Sequence, residues 1–132
     1  MTLVVPNASE ATLLQAALGV DAVLHLYTNV VVLGSDTVVG DLDEAGGGGY
    51  ASVALGGWTV TPGSPSLATI GVKTFLFSGP LVGGAAIRGY YVTDAAGNLL
   101  WAEEKPAPFT PENNGDTFSV TLNFTLGALA GD

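Results

Sequence analysis

The sequence predicts a mainly β fold, an antiparallel β-sandwich of jelly-roll type with one short N-terminal helix. Three observations carry this: short apolar runs punctuated by glycine and proline turns along most of the chain, a strict apolar–polar alternation over 118–126, and helical spacing in one segment only. The length of 132 residues is that of one domain, here 1–132 with an N-terminal arm at 1–6 and a short extension at 127–132.

The helix comes first. Asn7 and Glu10 stand in the reciprocal capping arrangement, Leu13, Leu14, Ala17 and Leu18 form one apolar stripe, and Gly19 stops the segment, which places a helix at 8–18. Residues 22–28 then read as a strand of branched and aromatic side chains, and 30–33 as its extension or as another strand. Residues 41–49, which include Gly46 to Gly49, read as a flexible loop. Short strands follow at 50–55 and 58–61, then a Pro–Gly–Ser–Pro turn at 62–65.

Residues 68–77 make a longer strand, with Ile70, Val72, Thr74 and Leu76 expected on one face and Gly71, Lys73, Phe75 and Phe77 on the other. After a glycine-rich loop at 81–86 comes a strand at 87–93. The hairpin turn at 94–98 lets Gly97 and Asn98 take positive φ, and a partner strand returns at 99–105. Residues 106–116 read as a long loop before the final alternating strand, whose second face is wholly uncharged.

Composition narrows the function. Asp, Glu, Lys and Arg make up 11% of the chain, against about 25% in an ordinary soluble domain. A surface so poor in charge suits a subunit whose faces are covered by partners better than a free monomer. The net charge of −9, with Lys73, Arg88 and Lys105 the only fixed cations, opposes a nucleic-acid partner. No membrane span is expected, because His25, Asn29, Asp36 and Asp41 interrupt the most apolar region, and residues 1–6 do not read as an export signal.

No catalytic, cofactor or metal site is expected. Cysteine is absent, and His25 is the only histidine, which rules out a two-histidine metal site in one chain. Its place in an apolar strand favours a structural role, and no hydroxyl–histidine–carboxylate set is expected around it. The acidic cluster Asp36, Asp41, Asp43 and Glu44 matches no complete calcium-loop pattern. Glu103 and Glu104 are adjacent on a strand, so they point to opposite faces and cannot act on one glycosidic bond. Gly46 to Gly49 lack the Lys and Ser or Thr of a phosphate-binding loop. Trp58, Tyr90, Tyr91 and Trp101 could stack on a sugar, although aromatics spread over several strands are more often core or interface.

One ordered set of fragments goes further. Leu3-Val4-Val5-Pro6-Asn7-Ala8 opens the chain, Gly57-Trp58-Thr59-Val60-Thr61 stands in the middle, and Gly89-Tyr90-Tyr91-Val92-Thr93-Asp94 leads to Leu100-Trp101-Ala102-Glu103. Pro108-Phe109-Thr110-Pro111 and Asn113-Asn114-Gly115-Asp116 precede the alternating strand. In that order they resemble a family of small virion proteins of tailed bacteriophages, including those of cyanobacteria, over nearly the whole chain. The sequence departs from that pattern at 46–49 and 127–132. The resemblance implies a capsid decoration, or cement, protein: made in the bacterial cytoplasm, bound to the outside of the capsid, with the major capsid protein as partner and a homo-oligomer, trimer rather than dimer, as its form. Interface residues are then expected in two extended, proline-containing stretches, Leu3, Val4, Val5 and Pro6 and Phe109, Thr110, Pro111, Asn113 and Asn114, together with Trp58. A tail or head-fibre component and a carbohydrate-binding module for host attachment are the alternatives.

Overall fold

The structure, a computed structural model, describes residues 16, 21–56, 58–63 and 66–126. Among these, seven strands make two antiparallel sheets, with helix confined to two 3-10 turns and Ala16. The helix expected at 8–18 lies outside the described residues except for Ala16. No helix among the described residues is long and apolar enough to cross a membrane.

The four-stranded sheet has the order β2-β1-β5-β6, formed by β1 (Ala22–Tyr27), β2 (Val53–Leu55), β5 (Ile87–Thr93) and β6 (Leu99–Phe109). The three-stranded sheet has the order β3-β4-β7, formed by β3 (Thr59–Thr61), β4 (Ser66–Leu76) and β7 (Thr117–Leu126). The apolar run that reads as neighbouring strands at 50–55 and 58–61 is therefore split, and the chain changes sheets between Leu55 and Thr59. Leu24, Leu26, Leu55, Ile87 and Val92 from one sheet meet Ala68, Phe75, Val120 and Leu122 from the other in one buried cluster. Each large side chain there contributes on the order of 1.5–3 kcal/mol by leaving water.

The β5–β6 hairpin follows from its turn chemistry. The Asp94 carboxylate accepts hydrogen bonds from the Ala96 and Asn98 amides, both at 2.9 Å, and Gly97 takes φ of +87°. β6 then runs four residues past its expected end, through Pro106 and Pro108. Prolines are tolerated here because β6 is an edge strand and its register with β5 jumps between the Gly89–Glu104 and Ile87–Phe109 pairs. The loop expected at 106–116 is shortened accordingly.

Three further expectations are corrected. Residues 30–33 form no strand, because Val31 and Leu33 pack inward while Val30 and Val32 stay exposed with no neighbouring strand to pair with. On β4 a bulge between Thr69 and Gly71 changes the side-chain parity, so Ala68 and Ile70 face the core before it, and Phe75 after it. Ile70 thus does not share a face with Val72, Thr74 and Leu76.

The glycine run at 46–49 is the third, because it is a packed turn and not a flexible tip. The Ser78 amide donates to Gly48 O at 2.8 Å and the Val82 amide to Gly46 O at 2.9 Å. Gly48 has φ of +58°, and a Cβ there would lie 2.5 Å from Gly79 O and 2.7 Å from Pro80 O. Only glycine allows this backbone approach.

Candidate functional site

The outward faces of the two sheets differ. On the four-stranded sheet, Tyr27 and Tyr91 are buried beneath the 28–44 segment, where Leu42, Val31 and Leu33 pack over them. That segment is tied down by Asn29, whose side chain donates to Asp41 O and accepts from the Asp43 amide, each at 2.9 Å. His25 stacks on Tyr91 with ring centroids 4.6 Å apart.

His25 also joins a chain of polar groups. Its Nδ1 lies 2.8 Å from Glu44 Oε2 and its Nε2 lies 2.9 Å from Thr93 Oγ1. The Tyr50 hydroxyl donates to the same Glu44 oxygen at 2.7 Å and accepts the Leu26 amide at 3.1 Å. The expectation that no hydroxyl–histidine–carboxylate set would form is thus corrected: β5, β1 and the 44–50 segment bring Thr93, His25 and Glu44 into line. Thr93 is only 5% exposed, and none of the cavities at β6–β7, 37–40 or 32–41 is lined by it, by His25 or by Glu44. With the hydroxyl covered, the chain acts as a clamp between the sheet and the segment over it. Burial, with the Glu44 charge adding to it, pushes the Tyr91 phenol up to about 12 and keeps Tyr50 further above its ordinary range, although the Leu26 amide opposes the shift at Tyr50. Both phenols stay neutral at physiological pH, and Tyr50 remains a donor to Glu44.

The three-stranded sheet has no such cover among the described residues. Thr59, Thr61, Leu67, Val72, Thr74, Leu76, Thr117, Ser119 and Thr121 are all exposed on its outer face, with Val72 at 60% and Leu76 at 66%. The strands β3, β4 and β7 contain one charged residue, Lys73, and its register partner is the buried Val120, which assigns it to the core-facing side. The outer face therefore carries no charge at all, in a chain of net charge −9. Six of these nine residues carry hydroxyls and three are apolar, and Thr74 and Ser119 satisfy each other across the strands at 2.9 Å. Such a face loses little on desolvation, because no ion has to leave water.

Between the edge strands β6 and β7 lies a cleft of about 420 Å³, lined by Tyr90, Glu103, Glu104, Lys105, Phe109 and residues 117–121 among others. Phe109 stacks on Phe118 at 5.8 Å, and Lys105 Nζ sits 5.8 Å from the Phe118 ring centre. The register opposes Glu103 to Tyr90 and Glu104 to Gly89, so the two carboxylates do stand on opposite faces.

The expected interface residues separate. Leu3, Val4, Val5 and Pro6 lie outside the described residues. Trp58 is buried and meets Trp101 edge-on at 5.9 Å in the core, and Tyr91 is buried too, so these aromatics form no sugar-stacking platform. Phe109 belongs to β6 and Pro111 is fully buried. Thr110, Asn113 and Asn114 are exposed, but the turn that holds the asparagines is anchored: Asp116 Oδ2 accepts the Glu112 and Asn113 amides at 2.9 Å, and the Gly115 amide reaches Phe77 O at 2.8 Å. The 109–114 stretch is therefore part of the body and not a free arm. Val72, Leu76 and their neighbours were not expected as a surface; the uncharged face of 117–126 was the signal available for them.

Compared with known proteins, the chain matches no family model, no curated protein and no solved structure.

Proposed function

We propose that this chain is a non-enzymatic structural protein of a tailed-bacteriophage particle, a decoration or cement subunit that binds the outer face of the capsid and stabilises the lattice of the major capsid protein. The observation that carries the reading is the outer face of β3-β4-β7, which is uncharged and, among the described residues, uncovered. A surface of this kind favours a neighbour over water and can be buried without stripping hydration from ions. The opposite sheet is already covered by its own 28–44 segment, which leaves one side of the molecule for docking. The resemblance of the ordered fragments to small phage virion proteins supplies the kind of assembly.

On this reading the two sheets are the layers of a β-sandwich, of jelly-roll type, held by the core they share, and the protein works as a homo-oligomer on the virion exterior. A net charge of −9 suits the outside of a shell better than its DNA-lined interior. Many copies, each burying a modest area, reinforce a shell through additive binding to its assembled form.

The test is quantitative mass spectrometry of purified particles of the phage that encodes the chain. A decoration subunit is present in amounts comparable to the major capsid protein. A trace amount, or an amount matching fibre proteins, would remove the cement reading.

A further inference from the structure

Sheet edges are hazards, because their unpaired amides and carbonyls recruit other strands, and folded proteins guard them with short strands, prolines, bulges or charges. Three of the four edge strands here are guarded. β2 and β3 are each three residues long. β6 carries Pro106 and Pro108, the register jump, and Glu103, Glu104 and Lys105. The part of β4 beyond β3 carries the Gly71 bulge and Lys73. β7 alone has no such device within the strand: its ten residues include no charge, proline or glycine, and among the described residues it pairs only with β4, while Glu103, Glu104 and Lys105 of β6 line the cleft beside it.

We propose that the free edge of β7 is the docking site for a second copy of this chain, the two β7 strands pairing antiparallel about a twofold axis. The result is one continuous sheet of order β3-β4-β7-β7-β4-β3. Charge selects this occupant. Two copies of a chain of net charge −9 repel over most of their surfaces, and β7 is the one long edge strand with no charged side chain of its own, the charges in the cleft beside it being Glu103 and Glu104 partly offset by Lys105. Pattern permits it as well: in registers that set a residue opposite another of its own parity, Phe118, Val120 and Leu122 stay on the core side and Thr117, Ser119 and Thr121 on the outer side.

Size gives a third argument, which rests on the docking role proposed above. Strands of 3, 11 and 10 residues, at ~3.3 Å per residue and ~4.8 Å between strands, give an outer face on the order of 400 Å², short of the roughly 800 Å² per partner of a stable interface. Pairing doubles the face and brings it to that size. Such pairing is isologous and closes at two copies, so it replaces the expected threefold with a twofold.

The experiment uses the purified full chain at micromolar concentration, with mass from light scattering and amide hydrogen exchange on the same sample. A mass of about 26.6 kDa, twice the 13.3 kDa of one chain, is expected, together with slow exchange at both alternate sets of amides in 117–126. The double substitution Ser119→Glu and Thr121→Glu sets like charges across the seam and adds to the repulsion between copies, and at least a tenfold weaker self-association is expected with an unchanged circular dichroism spectrum. A monomer, a trimer, or a dimer in which the alternate β7 amides exchange as fast as loop amides overturns the inference. A monomer with those amides protected also overturns it, because another segment then covers the edge. If the glutamate variant fails to fold, mass and exchange of the unsubstituted chain decide alone. A dimer that does not bind capsids would refute the docking role and leave the pairing intact, whereas a monomer that binds them would do the reverse.

Discussion

Replacing Gly48 with alanine probes whether the glycine run at 46–49 is packed, and Gly83→Ala is its control. Both glycines have positive φ, +58° and +67°, so alanine at either one costs about 1 kcal/mol in backbone strain. Around Gly83 nothing lies within 4 Å of the added Cβ, and the cost ends there. At Gly48 the new carbon would stand 2.5 Å from Gly79 O and 2.7 Å from Pro80 O, which are backbone atoms that cannot swing aside. Overpacking of this kind costs ~1–3 kcal/mol. Loosening the Ser78–Gly48 and Val82–Gly46 hydrogen bonds adds about 1 kcal/mol. We therefore expect Gly48→Ala to destabilise the protein by roughly 3–5 kcal/mol and Gly83→Ala by about 1 kcal/mol, read as shifts of the urea midpoint at constant slope. In thermal melts monitored by circular dichroism these become losses of roughly 12–20 °C and about 4 °C. If the two variants fall within about 1 kcal/mol of each other, the packed-turn account is wrong.

Three other expectations follow from the structure. Burial raises all four tyrosines, Tyr27, Tyr50, Tyr90 and Tyr91, so the native state holds protons that the unfolded chain releases near pH 10; stability should be full below that pH and fall above it, with phenolate absorbance rising only as the circular dichroism signal is lost. Backbone amides hold the carboxyls of Asp94 and Asp116 below their ordinary value, which gives the opposite dependence: their contribution is present above about pH 4 and fades as the pH falls through that range, and Asp116→Asn should flatten the acid limb of the stability profile. Val72→Glu with Leu76→Glu, both at exposed outer positions, should change the urea midpoint by no more than about 0.5 kcal/mol and yet abolish co-sedimentation with capsids. Retained co-sedimentation would move the docking surface elsewhere.

Much of the β architecture is legible in the chain because local chemistry decides it. The 94–98 turn, the 87–93 strand and the alternation of 117–126 are specified by Asp94, Gly97 and a period of two, and they appear where those residues put them. What escapes is set by pairing partners remote in sequence. The bulge that gives Ile70 a different face from Val72 and Leu76 exists only against β7, and the isolated Gly71 within 68–77 was its one local signal. Prolines 106 and 108 mark a loop until β6 is known to be an edge. Gly46 to Gly49 signal flexibility until Ser78 and Val82 are seen to bond to them. For the candidate site, the scarcity of charge was plain from composition, but its concentration into one bare face was not, because β3, β4 and β7 are brought together from three distant parts of the chain. The Thr93–His25–Glu44 line escaped for the same reason, its members being 19 and 68 residues apart.

The central claim is that the uncharged face of β3-β4-β7 lies against a phage shell. A cryo-electron density map of the intact particle tests it most directly. The account predicts density for this chain on the outside of the capsid, with Val72, Thr74, Leu76 and Ser119 at the contact and the 28–44 segment turned to solvent. Density confined to the tail, or a capsid-bound subunit whose β3-β4-β7 face is the one open to water, would contradict it.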